Sequence, residues 1–143
     1  MHRPIYDIIT DARPDSKTFG TSAAYLLDPA KQNKLYVPRG FLHAFAVPDY
    51  VGYDKAIFMY YCDNTYCKEA EICISPMSLL PEIVKKLEGD SKYEALCKLF
   101  ENADKPCQEL VLSEKDLAGN DYTTWMQKVL DEYKQTGKCW YKG

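Results

Sequence analysis

The spacing of apolar residues changes once along this chain, at Pro76, and the change limits the folds open to it. Before Pro76 the apolar side chains come in short β-branched and aromatic runs, broken by turn residues about every eight to twelve positions. Residues 5–10 (IYDIIT) lead into the turn-like DARPDS of Asp11–Ser16, with Pro14 as the breaker. Ala23–Leu27 and Lys34–Val37 are predicted as two more strands, separated by the polar DPAKQN. Pro38-Arg39-Gly40 makes a tight turn, and His43–Val47 is the strand after it. Ala56–Cys62 (AIFMYYC) is apolar at successive positions, which predicts a strand covered on both faces. Glu71–Ser75 is a short strand that stops at Pro76. Short strands with this turn spacing belong to sandwiches and barrels.

Beyond Pro76 the period becomes helical. Leu79, Leu80, Ile83, Val84 and Leu87 recur on one helix face, and Leu96, Leu99 and Phe100 continue the pattern within Glu94–Phe100. Gly89-Asp90-Ser91 divides two short helices, with Asp90 or Ser91 as the second N-cap. Glu109–Leu112 is expected to return as a strand. Asp121–Tyr133 reads as a helix, with Trp125, Val129 and Tyr133 on one face and Gly137 just past its end. There is no internal repeat and no low-complexity segment. The expectation is one domain over residues 1–143, mainly β, with strands over about 5–75 and 109–112 and helices within 79–102 and 121–133.

Charge and cysteine usage narrow the function classes. With 46% hydrophobic residues the chain can build a core, and a net charge of −3 with mixed signs predicts neither a nucleic-acid groove nor an anionic membrane as partner. No apolar signal segment follows Met1-His2-Arg3-Pro4 and no apolar run is long enough for a bilayer, so a cytoplasmic location is expected. In that compartment Cys62, Cys67, Cys73, Cys97, Cys107 and Cys139 stay reduced, most of them as small core residues. They contain no CxxC pair, and two histidines are too few to complete a zinc site. Tyrosine is the compositional outlier, with 12 residues. Phenols that stack and hydrogen-bond suit a pocket for a polar ring compound, although any single Tyr is more often an ordinary strand or surface residue.

Alternation along Ala56–Cys62 puts Phe58, Tyr60 and Cys62 on one face and Ile57, Met59 and Tyr61 on the other. His43 shares a face with Phe45. Paired across a barrel, these strands would let His43 and Tyr60 line one interior. Asp116 stands in the loop-like LSEKDLA of Leu112–Ala118. A histidine, a tyrosine and an aspartate in a cupped sheet suit proton transfer at carbon. On residue type alone, His43 beside Phe45 reads first as a hydrogen-bonded core histidine.

Four segments in order resemble one enzyme family. Asp7–Gly20 (DIITDARPDSKTFG) is similar to the D-V-x-V-D-x-R-x-x-S-P-T-F-G stretch of the dTDP-4-dehydrorhamnose 3,5-epimerases. Leu35–Phe45 (LYVPRGFLHAF) resembles their L-[WY]-[IV]-P-x-G-F-A-H-G-F, and Tyr60–Glu71 (YYCDNTYCKEAE) their Y-K-x-T-x-x-Y-x-P-x-x-E. LVLSEKDLAG resembles their L-S-x-K-D. The resemblance implies a jelly-roll (cupin) barrel, a homodimer, no metal or other cofactor, and an isomerase pocket for a dTDP-linked 4-keto-6-deoxy sugar, as in dTDP-rhamnose biosynthesis. It implies Tyr60 as the catalytic acid and Asp116 as the aspartate that orients the base. His43 and Tyr66 match the family's other pocket histidine and tyrosine.

The sequence also departs from the family. There the base is a histidine in a segment like G-x-L-R-G-L-H, followed by a lysine, upstream of the D-V-x-V-D stretch. Here that stretch begins at Asp7, and His2 stands in a different context. Ala44 replaces a glycine, the tyrosine loop carries Cys67-Lys68 instead of the family's proline, and the stretch from Glu71 to Leu112 is longer. The expectation is therefore a base supplied from elsewhere, by a second copy or a complementary N-terminal chain, or else an inactive relative that binds a nucleotide sugar or serves as a partner subunit.

Overall fold

A computed structural model describes residues 3–48, 55–101 and 111–142. Three antiparallel strands form its sheet: β1 (Ile5–Asp11), β2 (Ser22–Leu27) and β3 (Phe41–Ala46), in the order β2-β1-β3. β1 is central because almost every position of IYDIITD is buried, as a strand flanked on both edges requires. Its register sets Tyr6, Ile8 and Thr10 against Leu26, Ala24 and Ser22 on one side and against Ala46, Ala44 and Leu42 on the other. These residues share one sheet face, and Asp7, Ile9 and Asp11 with Tyr25, His43, Phe45 and Phe41 share the opposite one.

Among the described residues, the helical core packs on the first face. α1 (Pro76–Leu87) starts on a proline at its first turn, where the missing N–H has no intrahelical partner to lose. It buries Leu79, Leu80 and Ile83, which pack with Tyr6, Ile8, Ala24, Ala46 and Leu96 into one core. α2 (Glu94–Glu101) supplies Leu96, fully buried, after a 3₁₀ turn at Ser91–Tyr93 capped by the Asp90 side chain. Two tyrosines pin that turn to the sheet: Tyr6 Oη donates to the Lys92 carbonyl at 2.9 Å, and Tyr93 Oη to the Ala24 carbonyl at 3.0 Å. Each puts a ring in the apolar layer and its hydroxyl on a backbone acceptor.

α3 (Glu114–Leu117) is one turn long, and α4 (Tyr122–Thr136) is the longest helix. α4 is capped by Asp121, which accepts from the Thr124 N–H at 2.8 Å, and stops where Gly137 adopts φ +66°. The chain before α1 and the chain before α4 are stitched together at Cys73–Ser75: Asn120 N donates to the Cys73 carbonyl and Ser75 N to the Asn120 carbonyl, both at 2.9 Å. The C-terminal residues return to the β1–β2 loop. Trp140 Nε1 donates to the Ala12 carbonyl at 2.9 Å, while Tyr141 and Lys142 both hold Asp15.

Several sequence expectations change here. An antiparallel sheet with helices in the second half is present, but helices account for more of the described chain than strands, so "mainly β" does not describe these residues. Lys34–Val37 is not a strand, and Glu71–Ser75 keeps only the bridge from Ile74 to Asn120. Ala56–Cys62 joins no ladder, and Ile57, Met59, Tyr60 and Tyr61 are exposed instead of doubly covered. The reason is common to all of them. A strand needs a hydrogen-bonding neighbour, and among the described residues none lies beyond β2 or β3. The return strand expected at 109–112 falls partly outside the described residues, and Val111 and Leu112 have no regular structure. Cys62 and Cys67 are exposed thiols rather than core residues, Cys73 and Cys139 are half-buried, and Cys97 is buried.

Candidate functional site

The open sheet face carries the chemistry. β1 places Asp7 and Ile9 on it, and the antiparallel register sets Phe45 across from Asp7 and His43 across from Ile9. Asp7 and His43 are thus diagonal neighbours on adjacent strands. His43 Nδ1 lies 3.8 Å from Asp7 Oδ1, with the imidazole 46% exposed and the carboxylate 5%. That separation is wider than a closed hydrogen bond. Asp7 Oδ1 accordingly has no hydrogen-bond partner among the described residues, although it is buried. The neighbouring Asp7 carboxylate raises the His43 pKa above the ordinary 6.5, and burial opposes it.

Beside this pair runs a row of aromatic rings. Phe58 stacks on Phe45 with centroids 4.5 Å apart, and Tyr60 tilts against Phe58 at 5.9 Å. The segment 55–62 is therefore attached to the open face through side chains although it adds no strand. Tyr25, paired with Asp7 from β2, completes the face and is partly exposed.

Tyr66 and Asp116 have other partners. The Tyr66 hydroxyl donates to Glu71 Oε2 at 2.7 Å, and Lys115 Nζ pairs with Glu71 Oε1. The Glu71 carboxylate raises the Tyr66 pKa, and Lys115 in turn lowers that of Glu71. Asp116 closes a capping box at the start of α3: Ser113 Oγ accepts from the Asp116 N–H at 3.1 Å, and Asp116 Oδ2 accepts from Ser113 Oγ at 2.7 Å and Ser113 N at 3.3 Å.

Of the four residues that the sequence singles out, His43 and Tyr60 stand on the open face, Tyr66 is bonded to Glu71, and Asp116 caps α3 through Ser113, next in sequence to the Lys115 that pairs with Glu71. Neither of two clefts among the described residues includes His43 or Tyr60: one runs along Asp15, Tyr133, Lys138 and Lys142, and the other along Lys31, Lys34 and Lys92 with Tyr25 at its border. Sequence reasoning missed Asp7. The signal was there, since one carboxylate sits in an otherwise apolar strand. It also missed Phe45 and Phe58 as a stacked pair, because stacking depends on where segment 55–62 returns.

The DARPDSKT loop turns out to be internally saturated. Arg13 Nε and Nη2 grip Asp11 from two sides, and Ser16 Oγ at 2.7 Å and Thr18 Oγ1 at 2.6 Å add to the same carboxylate. The Arg13 guanidinium, helped by Thr18 and Ser16, holds the Asp11 pKa well below the usual carboxylate range despite its burial. Arg13 also lies over the Phe41 ring at 4.5 Å. Among the described residues no group of three or more His, Cys, Asp or Glu is placed to hold a metal, and no helix is long and apolar enough to cross a membrane.

Known proteins resemble this chain in sequence. The family model for dTDP-4-dehydrorhamnose 3,5-epimerase matches residues 2–124. The match groups the chain with proteins related to sugar-nucleotide isomerases. More narrowly, this chain belongs to the dTDP-4-dehydrorhamnose 3,5-epimerase family. It is 37% identical over 73 residues to the probable dTDP-4-oxo-2,6-dideoxy-D-glucose 3,5-epimerase of Streptomyces antibioticus, covering 51% of this chain and 34% of that protein. It is 30% identical over 94 residues to the dTDP-4-dehydrorhamnose 3,5-epimerase of Mycolicibacterium smegmatis, covering 64% and 45%. The Shigella flexneri protein of the same name is 29% identical over 118 residues, covering 82% and 52%. The chain therefore spans about a third to a half of the length of these relatives. No solved structure is significantly similar to it.

Proposed function

We propose that this chain provides the pocket sheet of a nucleotide-sugar 3,5-epimerase acting on a dTDP-linked 4-keto-6-deoxyhexose. The observation that carries the reading is the grouping of His43, with Asp7 behind it, beside the Phe45–Phe58–Tyr60 rings on one uncovered sheet face. The hydrogens on C3 and C5 of such a sugar flank the C4 ketone, so removing either leaves an enolate. Inversion needs a base on one side of the ring, a donor for the enolate oxygen, and an acid on the other side. In this reading Tyr60 is the acid, and His43 and Tyr66 contact the substrate. Asp116 orients the base through Oδ1, because Oδ2 is taken up by Ser113. The base comes from a segment beyond these residues or from a partner chain. Enolate chemistry next to a ketone requires no metal or cofactor, and the proposal includes none.

The finished molecule is proposed as a cytoplasmic jelly-roll (cupin) barrel, completed in a homodimer or by a complementary N-terminal chain. Exposed Phe45 on the open face, and exposed Ile57, Met59 and Tyr61 in the segment attached to it, support a partner in this region, because large apolar side chains exposed in number are normally covered. A second reading is an inactive relative that binds a nucleotide sugar or serves as a structural subunit. It is favoured by Tyr60, which is 72% exposed and makes no hydrogen bond among the described residues.

The test is deuterium incorporation from D₂O at C3 and C5 of a dTDP-4-keto-6-deoxyhexose, followed by NMR. Exchange that needs a supplied N-terminal partner and is lost in Tyr60→Phe supports the split form of the enzyme. Binding without exchange under every condition selects the inactive relative.

A further inference from the structure

The least expected group in the molecule is the Asp7 carboxylate. It sits in the central strand with 3% of the residue exposed, and its Oδ1 has no hydrogen-bond partner among the described residues. A buried carboxylate without a donor is costly, of order several kcal/mol, unless a positive charge stands close by. Among the described residues, the cationic group recorded beside it is His43, whose Nδ1 is 3.8 Å away across the β1–β3 ladder. Asp7 cannot turn elsewhere, because Ile5 and Ile9 flank it on its own face of β1 and Tyr25 and Phe45 stand opposite on the two neighbouring strands.

We propose that Asp7 is a positioning residue that acts through His43: it fixes a proton on Nδ1 and leaves Nε2 as the nitrogen that meets an anionic oxygen on the open sheet face. The inference deepens the epimerase reading and rests on it for the identity of the ligand, but the Asp7–His43 relationship stands by itself. Three features of the site support it. The contact is made by Nδ1, so Nε2 is the ring nitrogen left for a ligand. The imidazole is half exposed while the carboxylate is not, so the pair has one buried end and one accessible end. The aromatic row of Phe45, Phe58 and Tyr60 begins two residues along the same strand face, so a ring-bearing ligand lying on it would bring its oxygens to His43.

The charges around the pair agree with this. On the open face β1 contributes Asp7 and, further along, Asp11, which Arg13 neutralises. β2 contributes Tyr25, and segment 55–62 contributes Tyr60. Of these groups only Asp7 acts appreciably on His43, and it favours the imidazolium. A protonated His43 then donates from Nε2 to negative oxygen, either in the diphosphate or in the enolate of a nucleotide sugar.

The experiment is ¹⁵N NMR of the full chain, following the imidazole nitrogens as pH is varied, with His43→Gln to separate His43 from His2. In the wild type we expect His43 to titrate above 6.5 and, on its alkaline side, to hold its proton on Nδ1. Asp7→Asn, which keeps the shape but removes the charge, should move the titration down, and Asp7→Glu should restore part of it. Inorganic pyrophosphate should shift the Nε2 resonance at a pH below the His43 titration, with binding about ten-fold or more weaker above it. A wild-type imidazole with its proton on Nε2 would overturn the proposal without any variant. An unchanged titration in a folded Asp7→Asn protein, or an Nε2 resonance indifferent to pyrophosphate, would also overturn it. These readouts do not depend on turnover. A chain that never epimerises would refute the catalytic reading while leaving the Asp7–His43 result to be judged separately.

Discussion

Arg13 holds Asp11 at two points, Nε to Oδ1 and Nη2 to Oδ2, each at 2.8 Å, at the point where β1 turns toward β2. Ser16 and Thr18 fill the remaining acceptor positions, so one carboxylate organises the whole β1–β2 loop. Asp11→Ala should leave Arg13 without its partner and cost about 2–3 kcal/mol, the scale of hydrogen bonds to a charged group. Urea unfolding followed by circular dichroism would measure it, and a loss under about 0.5 kcal/mol would show that the loop is held by other contacts.

The same carboxylate gives a pH dependence of known sign. Its folded-state pKa lies below the ordinary 3.8, so its contribution is fully present above that value and is lost as pH falls through the folded value. Asp15, lowered to about 2 chiefly by Lys142, acts in the same direction. Acid unfolding should therefore begin only below about pH 4 for these groups, and in Asp11→Asn the remaining acid dependence should be shallower. A thermal melt at each pH, wild type against variant, provides the comparison.

Gly119 passes so close to the Cys73–Ser75 segment that a Cβ there would lie 2.6 Å from Ser75 N and 2.8 Å from the Ile74 carbonyl carbon. Backbone on that side cannot swing away as a side-chain tip could. Gly119→Ala should push the two segments apart, break the Asn120 contacts to Cys73 and Ser75, and cost about 1–3 kcal/mol. Faster amide exchange at Ser75 and Asn120 would be the local signature.

Trp140 closes the molecule from the other end, edge-on to Trp125 at 5.4 Å with its Nε1–H on the Ala12 carbonyl. Trp140→Phe keeps a ring but drops the donor and should cost about 1 kcal/mol. Trp140→Ala also loses the packing and should cost more, about 2–3 kcal/mol, since the side chain is partly exposed. The chain has two tryptophans, so the emission of Trp125 alone would report whether the contact region stays ordered.

The two tyrosines proposed as substrate-facing should separate in activity. If the epimerase reading holds, Tyr60→Phe should lower exchange at C3 and C5 by about 10²–10⁴, the range of a lost acid. Tyr66→Phe removes one donor from Glu71 but leaves its pairing with Lys115, so a much smaller loss is expected. Equal losses in the two variants would place Tyr66 in the chemistry as well.

Much of this protein can be traced to local sequence. The change of apolar period at Pro76 marks where helices begin, because a proline fits the first turn of a helix and the spacing of Leu79, Leu80 and Ile83 gives that helix one buried face. Asp121 and Gly137 bound α4 by cap chemistry that depends only on neighbouring backbone. The family motifs are likewise written in the residues themselves. Strand pairing was not legible in the same way. Ala56–Cys62 and Lys34–Val37 have strand-like composition, yet a strand exists only where another backbone supplies hydrogen bonds, and that partner is not encoded within the segment. The same holds for the site. Sequence could nominate His43 and Tyr60, but only the β1–β3 register brings Asp7 beneath His43, and only the return of segment 55–62 stacks Phe58 on Phe45. Local propensity and periodicity act over a few residues, whereas the proton-holding pair depends on two strands far apart in sequence meeting in one alignment.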